Sequence, residues 1–332
     1  MPGNDPFLGG SSQVAYGVET NGGPATPTGL LQKLSDDTEQ ADPETNWYEE
    51  RYIGGGRELD DLSPGQRVFE GGSYPMQVVN AVPLVWLLGN ESFDTDTHTI
   101  TAAGADDAES YPPAFTTEAT LYGRGGGTDF VRTFENVYAD SGTISVDNDS
   151  RLTCEIGTVA GGVSTGSSPT DVGTLSGADP FLWSDISSDI SINGTTFARL
   201  LDFELGVENN AVPHHYITSD VSNQGDPFEV IPGNINYDFS ATIVADDDTL
   251  YQEVVSADTL VDISLQFTRE NGDTLDINLN GVGLQEAPHG MSRGDSADDE
   301  RVEVEATGIP TGLEIILTDT VRGAAVLPGQ QA

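Results

Sequence analysis

Apolar residues occupy alternate positions at Leu201, Phe203, Leu205 and Val207, and again at Tyr237, Phe239, Ala241 and Ile243. The pattern returns at Ile263, Leu265 and Phe267 and at Leu275, Ile277 and Leu279. A period of two places one side of a strand on a core and the other in solvent. The chain is therefore restricted to half-buried sheets. Asn193-Gly194 and Asn271-Gly272 stand where such strands must reverse, and this dipeptide favours a tight hairpin. Further strands are expected at Phe115–Tyr122, Phe130–Tyr138, Thr143–Val146, Leu152–Val159, Val302–Ala306 and Leu313–Thr318. Residues 47–77 read as extended and punctuated by glycine.

Helix is sparse. Asn80 is placed to cap a short helix over Ala81–Leu88, with Pro83 in its first turn and Gly89 ending it. Thr249–Ser256 reads as a second, with Asp246, Asp247 and Asp248 near its positive end. A further short helix is expected near Leu30–Leu34. The fold class is mainly β, with one short helix per half.

The two halves follow the same order of strand, hairpin, long strand, turn and strand, which reads as a divergent duplication. The expected organisation is an arm or long loop over 1–45, a first β domain over 46–162 and a Gly/Ser-rich linker over 163–178. A second β domain follows over 179–322, with a tail over 323–332. Residues 90–112 read as an acidic loop.

Fifty-five Asp and Glu oppose twelve Lys and Arg, and Lys33 is the one lysine. The formal charge of −43 far exceeds the roughly 2–8 that solubility requires of a small domain. Such self-repulsion opposes compaction at ordinary ionic strength. In molar salt the Debye length falls to about 3 Å and the repulsion is screened. Acidic, lysine-poor surfaces of this kind resemble those of haloarchaeal proteins. Disorder is disfavoured by the alternating segments and by three tryptophans set in apolar surroundings. No run approaches the roughly 18 apolar residues of a membrane helix. The N-terminus, Met1-Pro2-Gly3-Asn4-Asp5, shows no signal-peptide pattern.

Catalytic signals are weak. Gly162-Val163-Ser164-Thr165-Gly166 matches a nucleophile elbow, which requires a strand before the serine and a helix after it. Ser167-Ser168-Pro169-Thr170 starts no helix, so a linker is the plainer reading. His214 and His215 are adjacent, so in a strand they point to opposite faces and do not readily share a metal. Asp94-Thr95-Asp96 and Asp246-Asp247-Asp248 offer hard oxygen ligands but lack the EF-hand register. Arg293-Gly294-Asp295 reads as a chance tripeptide, and the sequons at Asn90, Asn148 and Asn193 carry little weight without a secretory signal. Cys154, the lone cysteine, is expected to be a small buried hydrophobe. There is no phosphate-binding loop and no basic stripe for duplex DNA. No catalytic, cofactor-binding or metal residue is assigned, and no cofactor is expected.

An ordered set of segments carries a resemblance. Pro180-Phe181-Leu182-Trp183, the Asn193-Gly194 hairpin and Phe203-Glu204-Leu205-Gly206-Val207-Glu208-Asn209-Asn210 resemble tail tube proteins of tailed phages. So do Asp246–Tyr251 with the two strands after it, Arg51–Arg57, Gly72–Gly89 and Ser141–Val159. The resemblance spans roughly residues 45–290. It implies a β-sandwich or barrel-like pair of sheets with short flanking helices, in subunits joined edge to edge into rings. These stack into a virion tube through which viral DNA passes to the host, with other tail proteins as partners. It also implies arms that grip neighbouring rings, for which residues 1–45, 90–112 and 212–234 are candidates. Two tube-like halves would give a trimeric, pseudo-hexameric ring. If one half alone contributes lumen strands, the ring is a hexamer. The charge points to a haloarchaeal virus or provirus, with assembly in the host cytoplasm. A surface β-sandwich protein, adhesin-like or S-layer-like, is the alternative, and the missing signal peptide weighs against it.

Overall fold

The computed structural model describes residues 12–20, 23–35, 37–53, 58–59, 61–104, 111–123, 127–173, 179–192, 195–197, 200–217, 225–244, 260–286, 303–320 and 324–328. Strand dominates them. The first half holds β1 (Gln13–Val18), β2 (Gly29–Leu30), β3 (Glu44–Glu50), β4 (Asp61–Val68), β5 (Gly72–Gln77), the helix α1 (Val82–Leu88), β6 (Gly89–Asp94), β7 (Thr97–Ala102), β8 (Phe115–Leu121), β9 (Phe130–Asp147), β10 (Thr153–Val159) and β11 (Gly162–Gly166). After a 3-10 turn at Trp183–Asp185 come β12 (Ile186–Ile192), β13 (Thr195–Phe197), β14 (Leu200–Glu208), β15 (Val212–His214), β16 (Glu229–Ile231) and β17 (Asn236–Val244). The chain continues through β18 (Val261–Thr268), β19 (Thr274–Glu286), β20 (Glu303–Ile309) and β21 (Gly312–Thr318).

All pairings among these strands are antiparallel, and they build three main sheets. The first runs β2-β1-β8-β9-β11. The central sheet runs β5-β10-β9-β14-β17-β20-β19. The third runs β13-β12-β18-β19-β21-β7-β6. β9 and β19 each bend from an outer sheet into the central one. One contiguous core joins the inward residues of all three sheets.

The second half repeats the pairing plan of the first. β18, β19, β20 and β21 pair with one another as β8, β9, β10 and β11 do. The irregularities also recur. β8 meets β9 with a register shift at Phe115↔Val137, and β18 meets β19 with one at Val261↔Val282. Asn136 and Gly281, one residue before each shift, hold positive φ of 52° and 57°. A second bulge leaves Asp140 unpaired in β9 and Gln285 unpaired in β19.

The central sheet is nevertheless common property. β14 of the second half lies directly beside β9 of the first, and β7 of the first half lies beside β21 of the second. The halves therefore share hydrogen-bond ladders and are not separated by a free linker. Gly162–Gly166, expected within that linker, is β11, and Thr170 is fixed by the buried Glu118, which accepts from its N–H and hydroxyl at 2.7 Å each.

Two other segments differ from the sequence reading. Part of the expected arm is β1, an interior strand whose Val14-Ala15-Tyr16-Gly17 are buried on both faces, so no alternation marks it. Leu30 belongs to β2; where a short helix was expected, Leu31 N–H donates to Val14 O of β1 and Leu34 bridges Met76 of β5. The acidic loop at 90–112 contains the hairpin β6–β7. Its polar Glu91 and His98 are buried, with His98 Nδ1 2.6 Å from Glu91 Oε1. Glu91 also accepts the N–H groups of Val326 and Leu327.

α1 forms where expected. Its residues are buried all round, as a helix enclosed by sheets must be. Asn80 Oδ1 accepts the N–H of Val82 at 2.9 Å, and Gly89 ends the helix at φ 92°. Trp86 stacks on Phe115 at 4.7 Å and meets Tyr74 at 5.3 Å, tying the first sheet to the central one. Trp47 and Trp183 are exposed. The helix expected over Thr249–Ser256 lies outside the described residues.

Candidate assembly and conduit surfaces

The residues singled out for chemistry do not converge. Ser164 sits exposed on β11, paired opposite Thr133 of β9. The strand leads into bends and not into a helix, so the strained elbow is not built. His214 pairs with Glu229 across β15 and β16, while His215 lies beyond the strand end. Asp94, Thr95 and Asp96 form the β6–β7 turn, with Thr95 at φ 60°. Among the described residues no group of three or more His, Cys, Asp or Glu is arranged to hold a metal ion. Asp246–Asp248 and Arg293–Asp295 lie outside the described residues. Cys154 is buried in β10, and burial pushes its thiol up to about 12. No described helix is long and apolar enough to cross a membrane.

What the fold does assemble is a surface. The central sheet turns Tyr74, Met76, Ile144, Cys154, Phe203, Leu205, Phe239 and Ala241 into the core. By the same alternation its other face carries Ser73, Gln77, Thr153, Glu155, Ser141, Thr143 and Ser145 from the first half. From the second it carries Asp202, Glu204, Glu208, Asp238, Ser240, Thr242, Glu303 and Glu305. None of these positions holds Lys or Arg. Arg151, in the β9–β10 turn, donates to Gln77 Oε1 at 3.1 Å.

Carboxylates and hydroxyls interleave across this face. Glu204 is flanked by Ser145 and Ser240, and Thr242 by Glu305. Ser73 donates to Glu155 at 2.9 Å, and Ser145 and Thr153 lie 3.0 Å apart. The wall is thus polar and negative. Sequence reading found the strands but not the wall, because its carboxylates come from four strands, β10, β14, β17 and β20, scattered between Glu155 and Glu305. The available signal was the identity of the polar positions in the alternating runs: Ser, Thr, Asp and Glu, without a basic residue.

Two hairpins stand off from the sheets. β3–β4 pairs with no other described strand and exposes Trp47, Tyr48, Tyr52 and Leu62. β15–β16 exposes Tyr216 and Phe228, whose rings meet edge to face at 5.5 Å. The hairpins touch through an ion pair between Arg67 and Asp226 and through Arg67 N–H donating to Gly225. Of the three expected arms, residues 212–234 do hold such a hairpin, whereas 13–18 and 89–102 belong to sheets.

A family model described as phage tail tube protein matches residues 9–309. The chain belongs to the phage tail tube protein family. This agrees with the resemblance in the sequence and with the mainly β sandwich architecture. Membership makes the tail tube protein a structural component of a virion tail that self-assembles into a tube with other phage proteins. No curated protein matches the chain.

Proposed function

We propose that this tail tube protein forms rings that stack into the conduit for viral DNA, with the outer face of the central sheet as the lumen wall. The observation that carries this reading is the face itself: a broad surface rich in Ser, Thr, Asp and Glu, with no Lys or Arg at its described strand positions. A duplex has a dense line of phosphates, and Lys or Arg neutralising them produces tight binding. An acidic wall repels that line and lets the genome slide.

The repeated pairing plan supports a divergent duplication, with tube-like units corresponding to residues 46–162 and 179–322 and the strands of 13–30 adding to the first. Three copies then present six pseudo-equivalent units. Each copy offers seven strands to the central sheet. About 21 strands spaced ~4.8 Å apart close into a wall roughly 32 Å across before strand tilt widens it. That width accommodates a duplex. The hairpins β3–β4 and β15–β16, with their exposed aromatic residues, are the stacking contacts between rings. The acidic excess sets the working solvent as strong brine, in keeping with a virus of haloarchaea.

Negative-stain microscopy of purified protein in molar salt tests the reading. Stacked rings or hollow tubes are expected. A preparation of dispersed monomers, or of flat lattices, would overturn it.

A further inference from the structure

We infer that two carboxylates, Glu19 and Asp262, set the angle at which β9 and β19 enter the central sheet, and so fix the curvature of the conduit wall. The inference rests on the conduit reading above and names the side chains that shape it.

Each long strand changes sheet at a bulge. Thr116 of β8 stands opposite two residues of β9, Glu135 and Asn136, because Phe115 pairs with Val137 and Thr117 with Phe134. Asp262 of β18 stands opposite Asn280 and Gly281 of β19 in the same way, between the pairs Val261↔Val282 and Ile263↔Leu279. An extra residue of this kind bends its strand and sharpens the local twist. Sheets that curve or close take their curvature from bulges at defined positions. The second residue of each bulge lies in the left-handed region, at φ 52° for Asn136 and 57° for Gly281. Its N–H leaves the ladder and needs another acceptor.

The two halves provide that acceptor by different routes. In the second half the residue opposite the bulge does so directly: Asp262 Oδ1 accepts the Gly281 N–H at 2.9 Å. In the first half that place is held by Thr116, whose hydroxyl donates to Glu19 Oε1 at 2.7 Å. The same oxygen accepts the Asn136 N–H at 2.8 Å. Glu19 follows β1, so the strand next to β8 brings in the carboxylate that β18 carries itself. The carbonyl side of each bulge is matched as well. Glu135 O accepts the Gly161 N–H at 2.9 Å from the β10–β11 turn, and Asn280 O accepts the Thr311 N–H at 3.1 Å from the β20–β21 turn. Both bends are held from two sides, in corresponding places, by different residues.

Their surroundings differ. Glu19 and Thr116 are buried. Burial pushes the Glu19 carboxyl above its ordinary value, against the pull of the Thr116 and Asn136 donors. Asp262 is exposed, so water can stand in for its oxygen. The first bend accordingly depends on its carboxylate more than the second does, because a buried N–H left without a partner is the costlier loss.

Tube width tests the assignment. In molar salt, native protein and Glu19→Gln, which keeps an accepting oxygen, should give tubes of one width by negative-stain microscopy. Glu19→Ala should give tubes of shifted or scattered width, and Asp262→Ala a smaller shift. Glu270→Gln, on the β18–β19 turn and outside both bulges, is the control and should match the native protein. Uniform tubes of native width from Glu19→Ala would overturn the inference and leave the conduit reading standing. Native width in Asp262→Ala would overturn the role given to Asp262. Absence of tubes from the native protein would overturn the conduit reading itself. If Glu19→Ala does not fold, Glu19→Asp decides, since it keeps the charge and withdraws the oxygen by one methylene. Its width should shift, and the peptide spanning Asn136 should exchange its amide hydrogens roughly tenfold faster than in Glu19→Gln. Native width, or equal exchange, in Glu19→Asp would also overturn the inference.

Discussion

Arg269 is buried, with its guanidinium 4.2 Å above the Phe181 ring and 2.7 Å from Asp273. It also donates to the carbonyl oxygens of Val79 and Asp179, so one side chain ties the β18–β19 turn to the approach to α1 and to the start of the second half. Asp273 is fully buried. Burial acts to raise its carboxyl, but hydrogen bonds from Thr320 and Asn271 and the charge of Arg269 outweigh that and hold it below its ordinary value. A carboxylate depressed in the folded state stabilises above its unfolded pKa of about 3.9, and the contribution is lost as pH falls through the lower folded value. Asp273→Asn should therefore cost about 3–5 kcal/mol at pH 7 by leaving Arg269 unpaired. Thermal melts in molar salt should show the gap between native and variant narrowing below about pH 4. A gap constant from pH 7 to pH 3 would contradict this account. The Asn271-Gly272 turn was legible in the sequence. The network was not, because its partners at 79, 179, 181 and 320 are distant along the chain and carry no local pattern.

At the scale of elements, legibility followed burial. β14, β17, β18 and the first part of β19 bury one face each, so their alternation announced them. β1 buries both faces, and β6–β7 buries charged and imidazole side chains, so neither showed a period of two. The expected strands Phe130–Tyr138 and Thr143–Val146 are one strand of 18 residues. Its bend passes through Asn136 and the bulge at Asp140, and Ala139-Asp140-Ser141-Gly142, between the two expected strands, carries no alternation and reads as a turn. Asn136 keeps φ at 52° where the strand crosses between sheets, and asparagine tolerates that region whereas a β-branched residue does not. Asn136→Gly should change stability by less than about 1 kcal/mol, and Asn136→Val should cost about 1–3 kcal/mol. Chemical denaturation in high salt measures both. Equal effects would show that the left-handed bend is not what matters there.

At the scale of the molecule, the acidic excess is not uniform decoration. Several of its members line one face of the central sheet, on which no described strand position holds Lys or Arg. The class of fold and the tube resemblance were readable because they rest on pattern and order. The wall and its edges required the register, since they arise only when strands far apart in sequence become neighbours. A reconstruction by electron cryomicroscopy of tubes grown in molar salt tests the central claim most directly. The account predicts three copies per ring and a pseudo-sixfold wall, with Thr143, Ser145, Glu204 and Glu305 facing the channel. A channel lined by another sheet, or by clustered arginines, would contradict it.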